Sequence, residues 1–555
     1  MRKFVLFFVA LFVCFYANAQ LSTNEMPPSF SLKEDNAVIK TISLEKPDLT
    51  QVIEEDESEE SLFKMRRFGV ILKCGKDFFE HADVTTNEKG KIYRLAVEVP
   101  EAQALIFYSD RFVLPKGGKL FLYNEDHSKV LGAFSYFNNH QLKTFATEYL
   151  EGEKIIFEYF EPNDLSEKAQ IEITEIGYAY RDIPEKASDE YRSSGSCNVN
   201  VNCSEGDDYR KQQRAVARIQ VRMSQYYIGW CTGTLVNNTS YDRKPYLLTA
   251  AHCIEDVAST SYYSQFVFVF KYETSGCSTP ASEPSRSKSL TGATLKAYDN
   301  TYSGSGSDFC LFLLNNDVPE SYNPFWCGWD NRNNAVSKGV SIHHPSGDVK
   351  KISTFNSRLQ SATFSSNSSS SGTHWVVKWV ETENGYGVTE GGSSGSALFN
   401  EYGQVIGDLT GGISDCNVSD DQKVDYYGKL SYSWTSNGTS NSRRLKPWLD
   451  PTNTGATAIG GMDYSSSITE VAAVEDITSV SPNPAQSSLM ITFEDSYLDI
   501  EVSIFDQTGR NLSNQAIPSA SSNFVLDLNH LQNGLYIVRI KADGAESSHK
   551  VIVNK

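Results

Sequence analysis

The sequence predicts an all-β protein of several domains, on three observations. Tyr, Phe, Thr, Val and Gly are frequent, and Asn-Gly and Ser-Gly pairs separate apolar runs, as in chains of short strands joined by tight turns. Several stretches alternate apolar and polar residues with the period of a strand, for example KIYRLAVEV at 91–99. The chain has 555 residues, whereas a single hydrophobic core stops growing at about 250–300 residues. We therefore expect about three folded units.

The charge balance argues against nucleic acid as the main partner. There are 69 acidic and 50 basic residues, which gives a net charge of −19, and nucleic-acid binding requires a basic face. The acidic run EEDESEE at 54–60 is interpreted as a solvated stretch.

The N-terminus, residues 1–19, has the pattern of an export signal. Arg2 and Lys3 precede the apolar run FVLFFVALFVCF, and Ala17-Asn18-Ala19 supplies the small residues of a cleavage site. No later segment reaches the about 18 apolar residues of a membrane span. The sequence therefore predicts a secreted or cell-surface protein.

Export determines how the cysteines are interpreted. Cys14 belongs to the signal and Cys74 stands apart, so eight cysteines remain between 197 and 416. An even set in an exported segment predicts four disulfides, and the absence of C-x₂-C spacing argues against the alternative, a zinc site. The eight are Cys197, Cys203, Cys231, Cys253, Cys277, Cys310, Cys327 and Cys416.

The cysteine-rich stretch, residues 193–463, is flanked by two β-rich segments. Residues 20–192 are expected to form a propeptide, or alternatively a permanent accessory domain. Residues 464–475 (YSSSITEVAAVE) have the composition of a linker. Residues 476–555 contain short strand patterns with tight turns such as Asn533-Gly534, which predicts a small β-sandwich.

Two segments of the middle stretch suit a histidine base and the carboxylate that orients it. YLLTAAHC at 246–253 is an apolar strand that ends at His252, and Cys253 can fix its loop. GSDFCLFLL at 306–314 places Asp308 at the mouth of an apolar run that must be buried. A lone histidine, or an aspartate that caps a turn, would be purely structural. Together they can hold the tautomer in which histidine accepts a proton from a nucleophile.

The third segment is TEGGSSGSALFN at 389–400, whose Gly and Ser content alone would indicate a linker. The apolar residues A-L-F that follow argue against a flexible linker. T-A-A-H-C resembles the histidine segment of chymotrypsin-like serine proteases, and the nucleophile motif of that family, G-x-S-G, matches 392–395. The resemblance implies that Ser394 is the nucleophile and that the N–H groups of Gly392 and Ser394 form the oxyanion hole, with Ser393 and Ser396 in variable positions. His252, Asp308 and Ser394 also follow the chain order of that family.

Three further histidines are candidates for a catalytic base or a metal ligand. His343 and His344 precede Pro345 in a turn-like sequence, and His374 has no carboxylate close in sequence. We interpret all three as structural, and the sequence predicts no metal and no cofactor.

The whole stretch 193–463 resembles secreted bacterial lysyl endopeptidases. The resemblance is carried by SGSCNVNVNC, CTGTLVNNT, LLTAAHC, SDFCLFLLN, FWCGWD, IHHPSGDVKKIS, VTEGGSSGS and WLDPTNTGA. It implies a double β-barrel of the chymotrypsin type with the active site between the barrels. It also implies the disulfides Cys197–Cys416, Cys203–Cys277 and Cys231–Cys253. Cys310 and Cys327 are additional to that pattern, and we expect them to pair with each other.

The same resemblance implies a pocket that selects the P1 side chain. D-x-Y-G at 425–428 places Asp425 at the pocket floor, where a buried carboxylate favours an ammonium or guanidinium group. Asp415, Asp420 and Asp421 are interpreted as loop charges. This chain has Thr410 where the family carries a histidine, and SSNSSSSG before His374 where a tryptophan is expected. Lysine is therefore expected at P1, with arginine possible.

The C-terminal segment resembles the type IX secretion sorting domain. The carrying residues are SPNP, D-x-x-G-R at 506–510, L-x-x-G-L-Y at 531–536 and the terminal KVIVNK. The resemblance implies the type IX secretion machinery as a partner. A binding module for carbohydrate or matrix is the alternative.

The sequence thus predicts a secreted serine endopeptidase made as a zymogen that is cut near Arg192-Ser193. Its expected partners are protein or peptide substrates and its own propeptide. The rival from another class is a surface adhesin that keeps the protease fold without turnover.

Overall fold

The structure is a computed structural model, and it describes most of the chain outside the first 24 residues. The described residues are 25–31, 39–58, 66–165, 167–183, 186–187, 190–191, 193–255, 257, 259–279, 283–286, 288–299, 306–364, 372–464, 478–493, 500–506, 511–517, 523–542 and 545–555. The predicted signal, residues 1–19, lies outside them, as does most of the predicted linker. The chain divides into two compact units, Met1–Ser465 and Ser466–Lys555.

The first unit begins with a β-rich segment. Its strands are Thr41–Ser43, Arg66–Asp77, Asp83–Asn87, Gly90–Glu98, Ala104–Ser109, Phe112–Val113, Lys119–Asn124, Val130–Phe134, Phe145–Ala146, Leu150–Glu151, Lys154–Pro162, Gln170–Ala179, Lys186–Ala187 and Glu190–Tyr191. Its short helices are Pro28–Ser31, Thr50–Ser58, Phe78–His81 and Tyr136–Asn138.

The remainder of the first unit contains the cysteine-rich stretch. Its strands are Val199–Asn200, Val216–Arg222, Tyr227–Leu235, Tyr246–Ala250, Val267–Phe270, Ser289–Thr291, Ala293–Tyr298, Phe309–Leu314, Phe325–Trp326, Gly339–His343, Lys351–Phe355, Gln360–Ala362, His374–Lys378, Ala397–Asn400, Val405–Gly412, Val424–Lys429 and Met462–Asp463. Its helices are Ser204–Tyr209, Arg210–Gln213, Ala251–Ile254, Thr260–Gln265, Glu320–Tyr322, Pro345–Gly347, Leu430–Thr435, Asn441–Arg443 and Lys446–Leu449.

The strands between residues 216 and 314 form a nearly closed antiparallel sheet. The hydrogen-bonded order runs from Ser289–Thr291 through Val267–Phe270, Val216–Arg222 and Tyr227–Leu235 to Tyr246–Ala250, and ends with Phe309–Leu314 and Ala293–Tyr298. The last strand and the first are neighbours along the chain, so the sheet curls back on itself. Apolar runs such as Phe309–Leu314 are buried because they line its interior.

Strands 339–429 form a second antiparallel sheet. Its order is Val199–Asn200, Lys351–Phe355, Gly339–His343, Ala397–Asn400, Val405–Gly412, Val424–Lys429, His374–Lys378 and Gln360–Ala362. One apolar core cluster contains side chains from both sheets, such as Leu311 and Phe399. The predicted all-β class, with a barrel-like sheet in this stretch, is confirmed.

The N-terminal segment joins the first of these sheets edge to edge. Strand Arg66–Asp77 pairs with Gln170–Ala179 on one side and with Tyr227–Leu235 on the other, where Val70 lies opposite Tyr227 and Arg66 opposite Trp230. The Phe68 ring stacks on Trp230 with centroids 3.9 Å apart. A further apolar cluster is therefore shared by both segments.

Buried charges also cross this junction. Arg218 lies over the Trp230 ring, 4.5 Å from its centroid, and its Nη2 is 3.4 Å from Glu148 Oε2. Both side chains are at most 2% exposed. Arg286 lies 3.4 Å from the same Glu148 oxygen and 2.7 Å from Glu283. Removing one member of such a buried set would leave an uncompensated charge.

Three disulfides lie where the resemblance placed them: Cys197–Cys416, Cys203–Cys277 and Cys231–Cys253. The predicted pairing of Cys310 with Cys327 is wrong, because both are free and buried. Cys310 lies in strand Phe309–Leu314 opposite Thr249, whereas Cys327 is held between the backbones of residues 235 and 237. Two strands of the first sheet separate these positions.

The second unit is a small β-sandwich, as predicted. Its strands are Thr478–Ser481, Ser488–Phe493, Ile500–Asp506, Asn511–Ile517, Asn523–Asp527, Gly534–Ala542 and Ala545–Val553. They form a three-stranded and a four-stranded antiparallel sheet around one apolar core. None of the helices in the described ranges has the length and apolar composition that crossing a membrane requires.

Replacing Phe68 by alanine should weaken the junction between the N-terminal segment and the first sheet. The Phe68 side chain is fully buried, and emptying such a site costs about 3–5 kcal/mol of unfolding free energy. All seven tryptophans lie in the first unit, so denaturant unfolding followed by tryptophan fluorescence reports on that unit. Leu142→Ala is the matched control, because Leu142 is 55% exposed. Equal losses in the two variants would contradict this account of the junction.

Candidate active site

Strand pairing brings the predicted histidine and aspartate together. Strand Tyr246–Ala250 lies antiparallel to Phe309–Leu314, with Ala250 opposite Phe309. His252 follows the first strand in the short helix Ala251–Ile254, and Asp308 directly precedes the second. Because the end of one strand meets the start of the other, the two side chains are adjacent.

The structure places the three predicted triad residues in one hydrogen-bonded chain. His252 Nδ1 lies 2.7 Å from Asp308 Oδ2, and His252 Nε2 lies 2.7 Å from Ser394 Oγ. The three residues are at most 4% exposed. This geometry suits transfer of the hydroxyl proton of Ser394 to a histidine that the aspartate orients.

Asp308 is held by backbone groups as well as by the imidazole. Its Oδ1 accepts from the N–H of His252 at 2.9 Å, and its own carbonyl accepts from the N–H of Ala251 at 2.5 Å. The residue has a φ of 61°, a left-handed conformation that is uncommon outside glycine but tolerated best by Asn and Asp. The backbone turn therefore aims the carboxylate at the imidazole.

Ser394 lies in a tight turn before strand Ala397–Asn400. Gly392 has a φ of 97°, and a Cβ at this position would lie 2.8 Å from the carbonyl oxygen of His344. Glycine is therefore required here. Within the described part of the chain, no acceptor is hydrogen-bonded to the N–H of Gly392 or of Ser394.

The second sheet supports this turn through a histidine that sequence reasoning assigned no specific role. His343 Nδ1 lies 2.8 Å from Ser393 Oγ, and its Nε2 lies 2.9 Å from Ser353 Oγ. His343 is fully buried in strand Gly339–His343, not in a turn. Ser393 thus makes a buried contact with the second sheet, and no local motif signals this long-range contact.

The first sheet holds the same turn from the other side. Thr232 Oγ1 donates to the carbonyl of Gly392 at 2.9 Å, and the N–H of Thr232 donates to the carbonyl of Ser394 at 2.8 Å. Ser394 therefore lies where the two sheets meet.

Asp425 is fully buried in strand Val424–Lys429. Its Oδ2 accepts hydrogen bonds of 2.6 Å from Trp379 Nε1, Thr389 Oγ1 and Ser414 Oγ. A Cβ at Gly412, on the neighbouring strand, would lie 2.3 Å from Asp425 Oδ1. These three donors fix the orientation of the carboxylate. Asp415, Asp420 and Asp421 lie at more exposed loop positions.

The two other histidines make contacts that suit a structural role. His344 Nδ1 lies 2.8 Å from the carbonyl oxygen of Asp348. His374 Nε2 lies 3.1 Å from Thr410 Oγ1. Burial lowers the pKa of His374 to about 4 and that of His344 well below its usual value, so both rings are neutral at neutral pH.

Ser393→Ala should destabilise the first unit although the change is small. It removes the partner of a buried imidazole nitrogen, which costs about 1–3 kcal/mol of unfolding free energy. Denaturant unfolding by tryptophan fluorescence measures the loss, and Ser357→Ala at an exposed position is the control. Identical unfolding midpoints would show that the contact between Ser393 and His343 contributes nothing to stability.

Comparisons with known proteins agree with both resemblances. Residues 191–428 match the family model described as lysyl endopeptidase, C-terminal domain, and residues 479–554 match that described as secretion system C-terminal sorting domain. A lysyl endopeptidase from Pseudomonas aeruginosa is 30% identical over 297 residues, which cover 51% of this chain and 60% of that protein. The chain thus spans about three fifths of the length of this curated relative.

Two solved structures also align with part of the chain. A Glu endopeptidase in complex with MPD has a TM-score of 0.25 and 16% identity, and covers 44% of this chain and 92% of its own. A kallikrein-related peptidase 10 complex with Zn²⁺ has a TM-score of 0.28 and 14% identity, with coverages of 41% and 94%. From the family models and the curated relative, the middle of this chain is similar to lysyl endopeptidases and its C-terminus to secretion sorting domains, which confirms the resemblances drawn from the motifs.

Proposed function

We propose that the chain is the precursor of a secreted serine endopeptidase that hydrolyses peptide bonds after a basic residue. The observation that carries the proposal is the hydrogen-bonded chain from Asp308 through His252 to Ser394, with distances of 2.7 Å at both steps. The similarity of residues 191–428 to a lysyl endopeptidase domain supports it independently.

In the proposed reaction Ser394 Oγ attacks the carbonyl carbon of the scissile bond while His252 Nε2 takes the hydroxyl proton. The imidazolium that forms is stabilised by the carboxylate of Asp308, and it then gives its proton to the leaving amine as the carbon–nitrogen bond breaks. A water molecule hydrolyses the acyl-enzyme by the same route, and its proton passes through His252 back to Ser394 Oγ.

The N–H groups of Gly392 and Ser394 supply the stabilisation of the tetrahedral intermediate. Its oxygen carries a negative charge, and donors fixed in advance stabilise it without reorganising. The contacts of Ser393 with His343 and of Thr232 with Gly392 fix this turn, so both donors are held in place before substrate arrives.

Asp425 is the proposed selector of the P1 side chain. Its buried carboxylate accepts from three side chains that fix its orientation, and a carboxylate attracts the ammonium or guanidinium group of a substrate. A neutral P1 side chain makes no such charge-assisted contact and is therefore bound less tightly. Lysine is the favoured P1 residue and arginine the second.

The N-terminal segment 20–192 is the proposed propeptide. Arg66 packs closely on Gly391: a Cβ added at Gly391 would lie 2.8 Å from the Cβ of Arg66. Arg66 Nη2 also donates to Asp182 at 2.9 Å. Part of this segment thus covers the turn that carries the nucleophile. A cut near Arg192-Ser193 would remove the covalent link between the segment and the protease domain, and release would then require the strand pairing between them to separate.

The residues after the proposed cut are already anchored on the protease domain. Ser193 Oγ donates to the carbonyl of Ser346 at 2.9 Å, and Ser194 Oγ donates to Asp348 at 2.6 Å. The disulfide Cys197–Cys416 ties the same segment covalently. A new N-terminus at this position would therefore stay in place.

The two ends of the chain support export. The sequence pattern of residues 1–19 is that of a signal, and residues 479–554 match a secretion sorting domain. We assign residues 476–555 to sorting through the type IX secretion machinery, with release to the medium or retention at the cell surface.

A serine-directed phosphonate distinguishes the endopeptidase from a protease-fold adhesin without turnover. The processed protein should be labelled with about one phosphonate per chain, because His252 activates the Ser394 hydroxyl. Ser394→Ala should abolish the labelling, whereas Ser396→Ala, which removes a nearby hydroxyl outside the triad, should retain it. Mass spectrometry of the intact protein reads the result, and a processed wild type that takes up no label refutes the proposal.

Digestion of a peptide library tests the role of Asp425. The wild type should cut after lysine and, more slowly, after arginine. Asp425→Asn should lower kcat/KM at lysine about a hundredfold, which corresponds to the loss of one charge-assisted contact. Asp421→Asn at an exposed loop position is the matched control and should leave the preference unchanged. Cleavage after Leu or Phe as readily as after Lys in the wild type contradicts the assignment.

A further inference from the structure

A second carboxylate lies directly behind the aspartate of the proposed triad. Asp299 follows strand Ala293–Tyr298 and is 2% exposed. Its Oδ2 accepts from the N–H of Ser307 at 2.6 Å. A Cβ at Gly306 would lie 2.0 Å from the same oxygen, so the carboxylate rests against the backbone that leads into Asp308.

The other oxygen of Asp299 is bound by a cation from a distant part of the chain. Arg443 Nη2, in the short helix Asn441–Arg443, lies 3.0 Å from Asp299 Oδ1. The Arg443 guanidinium lies over the Tyr298 ring, 5.4 Å from its centroid. Ser307 Oγ is also hydrogen-bonded to Ser433 Oγ at 2.8 Å. Ser307, the residue before Asp308, is therefore held by hydrogen bonds to both Asp299 and Ser433.

Asp299 and Asp408 are buried carboxyl groups that both interact with Asp308, and they differ in charge. Burial raises the pKa of Asp299 to about 6 with the help of Asp308, against the opposing effects of the Ser307 N–H and Arg443. Burial, followed by Asp308 and Asp299, raises the pKa of Asp408 well above its usual value. Above pH 6 Asp299 is therefore an anion, whereas Asp408 is a neutral acid at neutral pH.

We infer that Asp299 is a positioning residue for the proposed hydrolysis, which acts on His252 through Asp308. Its hydrogen bond to Ser307 holds the left-handed turn that aims Asp308. Its negative charge adds to that of Asp308 and favours the imidazolium that forms when Ser394 gives up its proton. The inference rests on the proposed function. It adds a charged residue, paired with Arg443, to the three residues of the triad.

The direction in which Asp299→Asn shifts the pH profile follows from the loss of the negative charge of Asp299. Asp299→Asn keeps an oxygen that can accept from Ser307 but removes the negative charge, so the imidazolium is less favoured. The base then stays neutral to lower pH, and the acid limb of kcat/KM moves to lower pH by about half a unit. Stabilisation of the transition state also weakens, so the plateau kcat falls about fivefold, with KM unchanged.

The experiment measures pH profiles of kcat and kcat/KM for the processed protein on one peptide substrate with lysine at P1. Asp408→Asn replaces one neutral group by another in the same surroundings, so its acid limb should coincide with that of the wild type. Asp463→Asn is the remote control, since Asp463 pairs with Lys211 at 3.4 Å in another part of the domain. It should change neither the limb nor kcat.

A purely structural role for Asp299 gives a different result. The profile of Asp299→Asn would then coincide with that of the wild type, and this outcome overturns the inference. If Asp299→Asn does not fold, as judged by tryptophan fluorescence, Arg443→Gln replaces it. Arg443 opposes the rise in the pKa of Asp299, so Asp299 loses its charge across the acid limb when the cation is removed. The limb should then move to lower pH, as in Asp299→Asn, and an unchanged limb would again overturn the inference. Phosphonate labelling of the wild type is recorded first, so that failure of the proposed function is recognised separately.

Discussion

The pairing of strand Tyr246–Ala250 with strand Phe309–Leu314 is the constraint on which the candidate active site depends. It sets Ala250 opposite Phe309, and the base and its carboxylate are the residues just beyond this pair. A slip of one residue would turn each strand over and place Asp308 on the wrong face. The buried side chains of both strands and the disulfide Cys231–Cys253 make such a slip costly. The separation of two side-chain atoms is thus determined by the packing of a whole sheet.

The turn that carries Ser394 depends on contacts from both sheets rather than on its own sequence. Thr232 holds it from the first sheet and His343 from the second. All of these contacts are present while the N-terminal segment is still attached. Assembly of these contacts therefore does not require a cut in the chain. Arg66 of the N-terminal segment packs on Gly391, beside this turn.

The sequence alone identified the candidate residues that lie within short local motifs. The segments around His252, Asp308 and Ser394 could each be found because strand, turn and reactive residue are contiguous. The all-β class and the C-terminal sandwich followed from alternation and turn residues. His343, Asp299 and Arg443 could not be found in this way, because each acts on a partner far away in the chain. The pairing of Cys310 with Cys327 was wrong because counting cysteines carries no information about which strands separate them.

The edge-to-edge junction at Tyr227–Trp230 determines which backbone groups would be exposed if the N-terminal segment were removed. Once strand Arg66–Asp77 departs, the backbone groups it satisfied face water, beside the ring of Trp230 and the guanidinium of Arg218. A bare strand edge with aromatic neighbours is a template for any extended chain, including another copy of the same protein. The attached segment covers this edge, so in the intact chain it is closed to self-association.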